Sequence, residues 1–250
     1  MASAAPASSL IRLTDREDLF GWEAVGRLDL EGKGYCTGSL IAPDLVLTAA
    51  HCVYDEAGAL IAPERITFRA GLRDDAFISQ SGIVRIAAHP AYSPARRTTA
   101  DMVRHDAALL KLAAPIPAAV ASPFVLAGAE AKTGLRVSVV SYGRGRDAAL
   151  SWQRDCGITG VGQGLMSFDC DVTFGSSGAP VFARARGQRA RIVSLISAGA
   201  DDVAYGMALP AIVEELKREL RKPPRSAGTI PRRIETGQGG GASGAKFAKP

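Results

Sequence analysis

The chain has 250 residues, 47 % of them apolar and 22 % charged, the balance of a soluble globular protein long enough to bury a substantial core. No stretch approaches the roughly 18 uninterrupted apolar residues of a membrane span, and the composition excludes a collagen-like repeat, a coiled coil and disorder of the whole chain. The net charge of +5 is unevenly placed: residues 222–250 hold six basic residues and one acid, leaving 24 of each sign in residues 1–221, so the body lacks the positive surface that nucleic-acid binding requires.

Residues 1–9, MASAAPASS, are small and uncharged. Ala2-Ser3-Ala4 looks like the cleavage region of a secretory signal whose charged and apolar parts are missing, and the same residues fit a flexible terminus. From residue 22 to residue 200 the pattern is of short strands. Alternation predicts them over Ala24–Leu30 and parts of Arg65–Ala70, Ser81–Ala88 and Arg136–Tyr142. Ser39–Ala50, Ala107–Leu112 and Ala190–Ile196 are more continuously apolar, as buried strands are. Frequent turn residues between them point to a β-sandwich or β-barrel rather than strand–helix alternation. The Pro-spaced stretch Ala113–Pro123 reads as a connector between two halves. One helix is predicted after Pro210: Ile212, Val213, Leu216 and Leu220 share a face, and Glu214 is spaced to pair with Arg218. The remainder, 222–250, is rich in Pro and Gly and is expected to be a disordered basic tail, a solvated linker or a weak contact for an anionic surface.

Cys36, Cys52, Cys156 and Cys170 are an even number without a CxxC pair, and none of the three histidines is spaced beside them as zinc ligands are. Two disulfides and an oxidising compartment are expected, with no metal and no cofactor.

Three segments bear on chemistry. Leu47-Thr-Ala-Ala-His51-Cys52 runs an apolar strand into a histidine, His105-Asp106-Ala-Ala-Leu-Leu-Lys-Leu112 puts an aspartate at the mouth of a buried strand, and Gly175-Ser-Ser177-Gly-Ala-Pro180 flanks a serine with glycines. Each has a plain structural explanation: a packing histidine, a turn-capping aspartate, a Gly-Ser loop. Together they supply what nucleophilic acyl transfer requires. A serine hydroxyl needs a base, histidine has the suitable pKa, a buried carboxylate fixes the histidine tautomer, and glycines let backbone amides converge on an oxyanion. The order His, Asp, Ser excludes the α/β-hydrolase arrangement, whose G-x-S-x-G elbow also fails at Ala179.

On these motifs the chain resembles the trypsin-like (chymotrypsin-fold) serine peptidases, in the style of the bacterial branch that includes the glutamyl endopeptidases. The resemblance runs from about Gly21 to Leu220 and is supported by Cys36-Thr-Gly-Ser-Leu-Ile-Ala with Cys52, by Ser141-Tyr142-Gly143, by Leu195-Ile-Ser-Ala-Gly199 and by Tyr205-Gly206. It implies an all-β fold of two six-stranded antiparallel β-barrels with a C-terminal α-helix. The expected divisions are an N-terminal extension (1–20), a first barrel (21–118) with His51 and Asp106, a second barrel and helix (119–221) with Ser177, and the tail (222–250). His51 is implied as general base, Asp106 as its orienting partner and Ser177 as nucleophile, with the amides of Gly175 and Ser177 forming the oxyanion hole. Ser197 matches a serine supporting the aspartate, and Ala198 and Gly199 an edge strand that pairs with substrate. Cys36 is paired with Cys52 by the resemblance, which leaves Cys156 to Cys170. His89 and His105 are given structural roles.

The function so implied is that of a secreted or periplasmic serine endopeptidase, a monomer acting on polypeptide. The competing reading is an inactive relative that only binds. Asp171 stands at the spacing of an acid at the base of the primary pocket, with Gly199 and Gly206 as its small walls, which would imply cleavage after Arg or Lys, and it equally fits a structural turn aspartate. Ile196 stands where glutamate-specific relatives hold a histidine. Ser176 replaces the aspartate that in vertebrate relatives receives a newly cleaved N-terminus, so activation by that ion pair is not expected.

Overall fold

The computed structural model describes residues 10–94, 98–128, 131–183, 189–200 and 203–223. Residues 1–9, with the signal-like Ala2-Ser3-Ala4, and the basic tail beyond residue 223 lie outside the described residues.

A two-residue strand, β1 (Ile11–Arg12), opens the fold. Then come β2 (Val25–Leu30), β3 (Gly34–Ala42), β4 (Leu45–Thr48), β5 (Ile66–Ala70), β6 (Ser79–Ala88) and β7 (Ala108–Leu112). They pair antiparallel in the order β2-β3-β4-β7-β6-β5, and β5 returns to β2, closing a six-stranded barrel. Alternation dictates which way the strands face: Leu28, Leu30, Ile66 and Phe68 are buried, while Arg27 and Arg69 pair with Asp29 outside. Between β6 and β7 lies a short helix absent from the expectation, α1 (Ala100–His105), whose first turn is capped by Thr99 Oγ1 accepting from Met102 N at 3.2 Å. With only Met102 and Val103 buried, it is too short to leave a periodic signal.

The second half contains β8 (Arg136–Gly143), β9 (Arg146–Gly162), β10 (Leu165–Phe168), β11 (Pro180–Ala183), β12 (Arg191–Leu195), β13 (Ala198–Ala200) and β14 (Val203–Met207). Their order is β12-β11-β8-β9-β10-β14-β13, with β1 added to β9. This sheet curls into the second barrel of the expected two-barrel fold, though its ladder does not close on itself as the first does. Its two edges, β12 and β13, follow each other through Ile196 and Ser197, so they come together at a bend and not through a ladder. Residues 10–20, expected in a separate extension, belong to the fold: Leu13 and Leu19 are buried, and Leu13 N donates to Leu150 O.

The C-terminal helix α2 (Pro210–Arg221) starts at the predicted proline and lays Val213 and Leu216 against β6 and β7. Glu214 pairs with Lys217 at 2.8 Å instead of Arg218. Trp22 from the first half and Phe182 from β11 meet at 5.0 Å between ring centroids, with Phe124 of the connecting segment against both. Both disulfides, Cys36–Cys52 and Cys156–Cys170, are formed.

Candidate active site

The apolar strand β4 leads through Ala49 into a single 3₁₀ turn, Ala50–Val53. Ala50, Cys52 and Val53 are buried, and the His51 side chain, 32 % exposed, is the one left facing outward. Two anchors hold the turn. Cys52 is bonded to Cys36 of β3, and the Lys33 ammonium donates to His51 O at 2.5 Å and Tyr54 O at 2.7 Å. Burial lowers the Lys33 ammonium below the usual lysine range, against the opposing field of Asp106.

Asp106 ends α1 and is buried. Its Oδ1 accepts from His51 N at 2.8 Å, and its Oδ2 takes both His51 Nδ1 at 2.8 Å and the Ser197 hydroxyl at 2.5 Å. A carboxylate with three donors is fully satisfied in its ionised form. Because it only accepts, His51 Nδ1 carries the hydrogen and Nε2 is left as the basic nitrogen.

Ser177 lies half-buried in the loop before β11. Ser176 N donates to Thr173 O, Gly178 N to Ile196 O and Ala179 N to Ser176 O. Among the described residues the amides of Gly175 and Ser177 have no backbone acceptor, so two donors flank one serine. Thr37 of β3 grips the loop from the first half: its N–H donates to Ser177 O at 2.9 Å and its hydroxyl to Gly175 O at 2.8 Å. Both glycines are obligatory. Gly175 (φ +93°) would drive a Cβ into the Tyr35 ring, and Gly178 (φ +77°) would drive one into Thr37 O and Thr48 Oγ1.

His51, Asp106, Ser177, Asp171, Ser197, Ala198 and Gly199 line one cavity of about 1170 Å³. Gly206 does not belong to it. In β14 this glycine faces the Leu195 carbonyl and the Ser194 hydroxyl, where a Cβ would collide. Ser197 N donates to Tyr205 O, and Ala200 pairs with Val203, so the register brings Val203 to the cavity in place of Gly206. Val172 lies on the same wall, and its Cγ2 is 3.0 Å from where a Gly199 Cβ would stand. Asp171 is exposed, with its amide donated to Gln153. Sequence reasoning missed Lys33, Thr37, Val172 and Val203, and only the β13–β14 register identifies the last.

His89 and His105 stack on each other at 4.8 Å, with His89 Nε2 against Glu215 at 3.0 Å. The donor groups Cys36–His51–Cys52 and Cys156–Asp169–Cys170 are built on disulfide sulfurs, which are not the thiolates a zinc site uses. No helix among the described residues is long and apolar enough to cross a membrane.

A family model described as "Trypsin-like peptidase domain" matches residues 36–189. Serine protease 1 of Rattus norvegicus is 28 % identical over 201 residues, 72 % of this chain and 73 % of its own length. Serine protease SP24D of Anopheles gambiae is 30 % identical over 164 residues, 58 % of this chain and 57 % of its own. Among solved structures, a Glu endopeptidase superposes with a TM-score of 0.69 at 20 % identity, covering 87 % of this chain and 99 % of that one. A thermostable serine protease, AL20, from an extremophilic microorganism superposes with a TM-score of 0.65 at 18 % identity, covering 80 % and 98 %. These two likenesses concern the fold.

Proposed function

The chain belongs to the trypsin-like peptidase family, and from that premise we propose that it is a serine endopeptidase acting through His51, Asp106 and Ser177. The observation that carries the reading is the hydrogen-bonded line from Ser197 through Asp106 to His51, facing the same cavity as Ser177. In this mechanism His51 Nε2 takes the Ser177 proton as Oγ attacks the peptide carbonyl. The amides of Gly175 and Ser177 receive the oxyanion, and the proton passes to the leaving amine; water then repeats the sequence on the acyl-enzyme. Asp106 stabilises the imidazolium and keeps its tautomer. Residues 21–118 and 119–221 serve as the two halves whose junction holds the site. Disulfides and family support a secreted or periplasmic location, and since every proposed group comes from one chain, the monomer suffices.

For the primary side chain, we propose a small aliphatic group in place of the Arg or Lys implied by Asp171. Val172 and Val203 line the same cavity as Gly199 and Asp171, adding apolar surface to the wall on which Val172 packs against Gly199. Labelling by a fluorophosphonate tests the function. Wild-type protein is expected to react at Ser177 and hydrolyse a peptide library, and Ser177→Ala to do neither, retaining at most the roughly 10³–10⁴-fold acceleration over water that binding and oxyanion stabilisation give. A wild-type protein that folds yet takes no label is the inactive binding relative instead.

A further inference from the structure

We infer that Arg146 is a positioning residue for the proposed oxyanion site: its guanidinium, supplied from within the chain, holds Ser176 and through it the flanking amides of Gly175 and Ser177. The inference rests on the serine-peptidase reading above and adds the group that fixes the nucleophile loop.

Ser176 is fully buried beside the nucleophile, where a hydroxyl requires partners. Arg146 Nη2 donates to its oxygen at 3.3 Å, Thr173 N donates at 3.3 Å, and Ser141 Oγ lies at 3.2 Å. The other arm of the guanidinium, Nη1, donates to Ser141 O at 3.2 Å and to Ser141 Oγ at 3.1 Å. One planar fork thus joins β8 to the nucleophile loop. Room for it comes from Gly143, since a Cβ there would stand 2.7 Å from Arg146 Cζ. The neighbouring residue strengthens the same docking: Arg144 N donates to Phe174 O at 2.7 Å, and its guanidinium lies 4.2 Å from the Phe174 ring centroid.

The electrostatics point the same way. Among the described residues the hydrogen-bond partners of Arg146 are hydroxyl and carbonyl oxygens, not a carboxylate. Burial lowers the guanidinium below its ordinary value, with Asp171 and Tyr35 opposing, and it stays charged at neutral pH. A half-buried cation without a bonded counter-ion is costly, and perturbed charges of this kind cluster at functional sites. Here that site is the pair of amides one residue to either side of Ser176. Because the cation is part of the chain interior, the loop is set as soon as the protein folds, with no terminal amine required.

The test uses the full chain, with Arg146→Ala and Arg146→Lys compared with wild type on one peptide substrate. Arg146→Ala is expected to lower kcat about 10²-fold with KM within about threefold, the signature of an interaction made in the transition state. A peptide aldehyde, whose adduct carries the oxyanion, should lose affinity in step, while a product peptide should not. Guanidinium ion, at concentrations too low to unfold the protein, should restore part of the Arg146→Ala rate, and methylammonium should not. Arg146→Lys keeps the charge without the fork and should fall between. The inference is overturned by folded Arg146→Ala with wild-type kcat, by a loss confined to KM, or by the absence of guanidinium rescue. If Arg146→Ala does not fold, Arg146→Lys decides: a wild-type kcat overturns it, and parallel losses in kcat and aldehyde affinity support it. A wild-type protein that neither hydrolyses peptide nor takes a fluorophosphonate defeats the peptidase reading, and the inference falls with it.

Discussion

The hydroxyl of Ser197, at the bend between β12 and β13, reaches across the molecule to donate to Asp106 Oδ2 at 2.5 Å. The carboxylate that orients His51 is therefore held from both halves of the chain, although the two residues are 91 positions apart. Ser197→Ala leaves one buried carboxylate oxygen short of a donor, and a hydrogen bond to a charged group contributes about 1.5–3 kcal/mol. A fall in kcat of roughly ten- to a hundredfold is expected on that basis. Asp106→Asn should fall further, by about 10⁴-fold, since an amide permits the wrong tautomer. Steady-state kinetics beside melting curves check this; equal rates for Ser197→Ala and wild type would remove Ser197 from the mechanism.

Substrate preference gives a second expectation. Matched peptides with Ala, Val, Arg, Phe and Glu at the cleaved residue should be hydrolysed fastest after Ala or Val. Val203→Gly combined with Val172→Ser should shift the preference toward longer side chains, Arg included, as two apolar groups leave the cavity that Asp171 also lines. Removing apolar contact from a small ligand group costs about 1–3 kcal/mol, so Ala and Val substrates should slow by roughly tenfold or more in that double variant. If wild-type protein already prefers Arg, and Asp171→Ser abolishes that preference, the acid and not the valines sets specificity.

Gly178→Ala should be among the most damaging single-methyl changes in the chain. Its φ of +77° is poorly tolerated by alanine, and the added Cβ would meet Thr37 O and Thr48 Oγ1, which have no flexible far end to yield. Strain and steric overlap together place the loss at about 2–4 kcal/mol. Chemical denaturation measures it, and a loss below about 1 kcal/mol would mean that the loop relaxes.

Shortening the N-terminus separates two regimes. Removal of residues 1–9 should leave both rate and melting temperature close to those of the full chain. Deletion through Thr14 takes away β1 and buried Leu13, a loss of roughly 2–3 kcal/mol from the leucine side chain and its backbone bond. Melting temperatures of the two truncations test this; a large gain in activity on cutting at one N-terminal bond would reveal an activation step.

Alkaline pH should destabilise the fold through Tyr142. Its hydroxyl donates to Leu72 O at 2.9 Å in the interior, and burial pushes the phenol well above its ordinary value. Above about pH 10 the unfolded chain releases this proton while the native chain keeps it, so the native state binds more protons and stability falls as pH rises. Below that range the contribution is fully present. The slope is about 1.4 kcal/mol per pH unit for one such group. Denaturation midpoints between pH 9 and pH 11 should show a shallower decline in Tyr142→Phe; parallel declines would mean that other groups dominate.

The strongest local signals lie where a single element settles the outcome. Val25–Leu30 alternates because one face meets the barrel core, and α2 begins at Pro210 because proline suits a first helical turn. His51, Asp106 and Ser177 stand out because unusual residue types sit beside apolar strands. What escaped the reading depends on how distant segments meet. The 17 residues of β9 carry too mixed a pattern for one strand, being bent by register shifts against β8. Gly206 and Val203 differ by three positions, and only the pairing of β14 with β13 decides which faces the cavity. Arg146 looks like an ordinary turn cation until β8 and the Ser177 loop are folded against it.

Thr37 has a consequence for the whole molecule. It belongs to the closed barrel, yet its amide and hydroxyl bind Ser177 O and Gly175 O, and its carbonyl receives the Thr48 hydroxyl one strand away. Gly178 is packed directly on that same carbonyl. The barrel and the curled sheet thus meet directly at the Ser177 loop, which one threonine of the barrel holds at two carbonyls. On that basis activity and tertiary structure are expected to be lost at the same temperature, which a thermal inactivation curve set beside a melting curve checks.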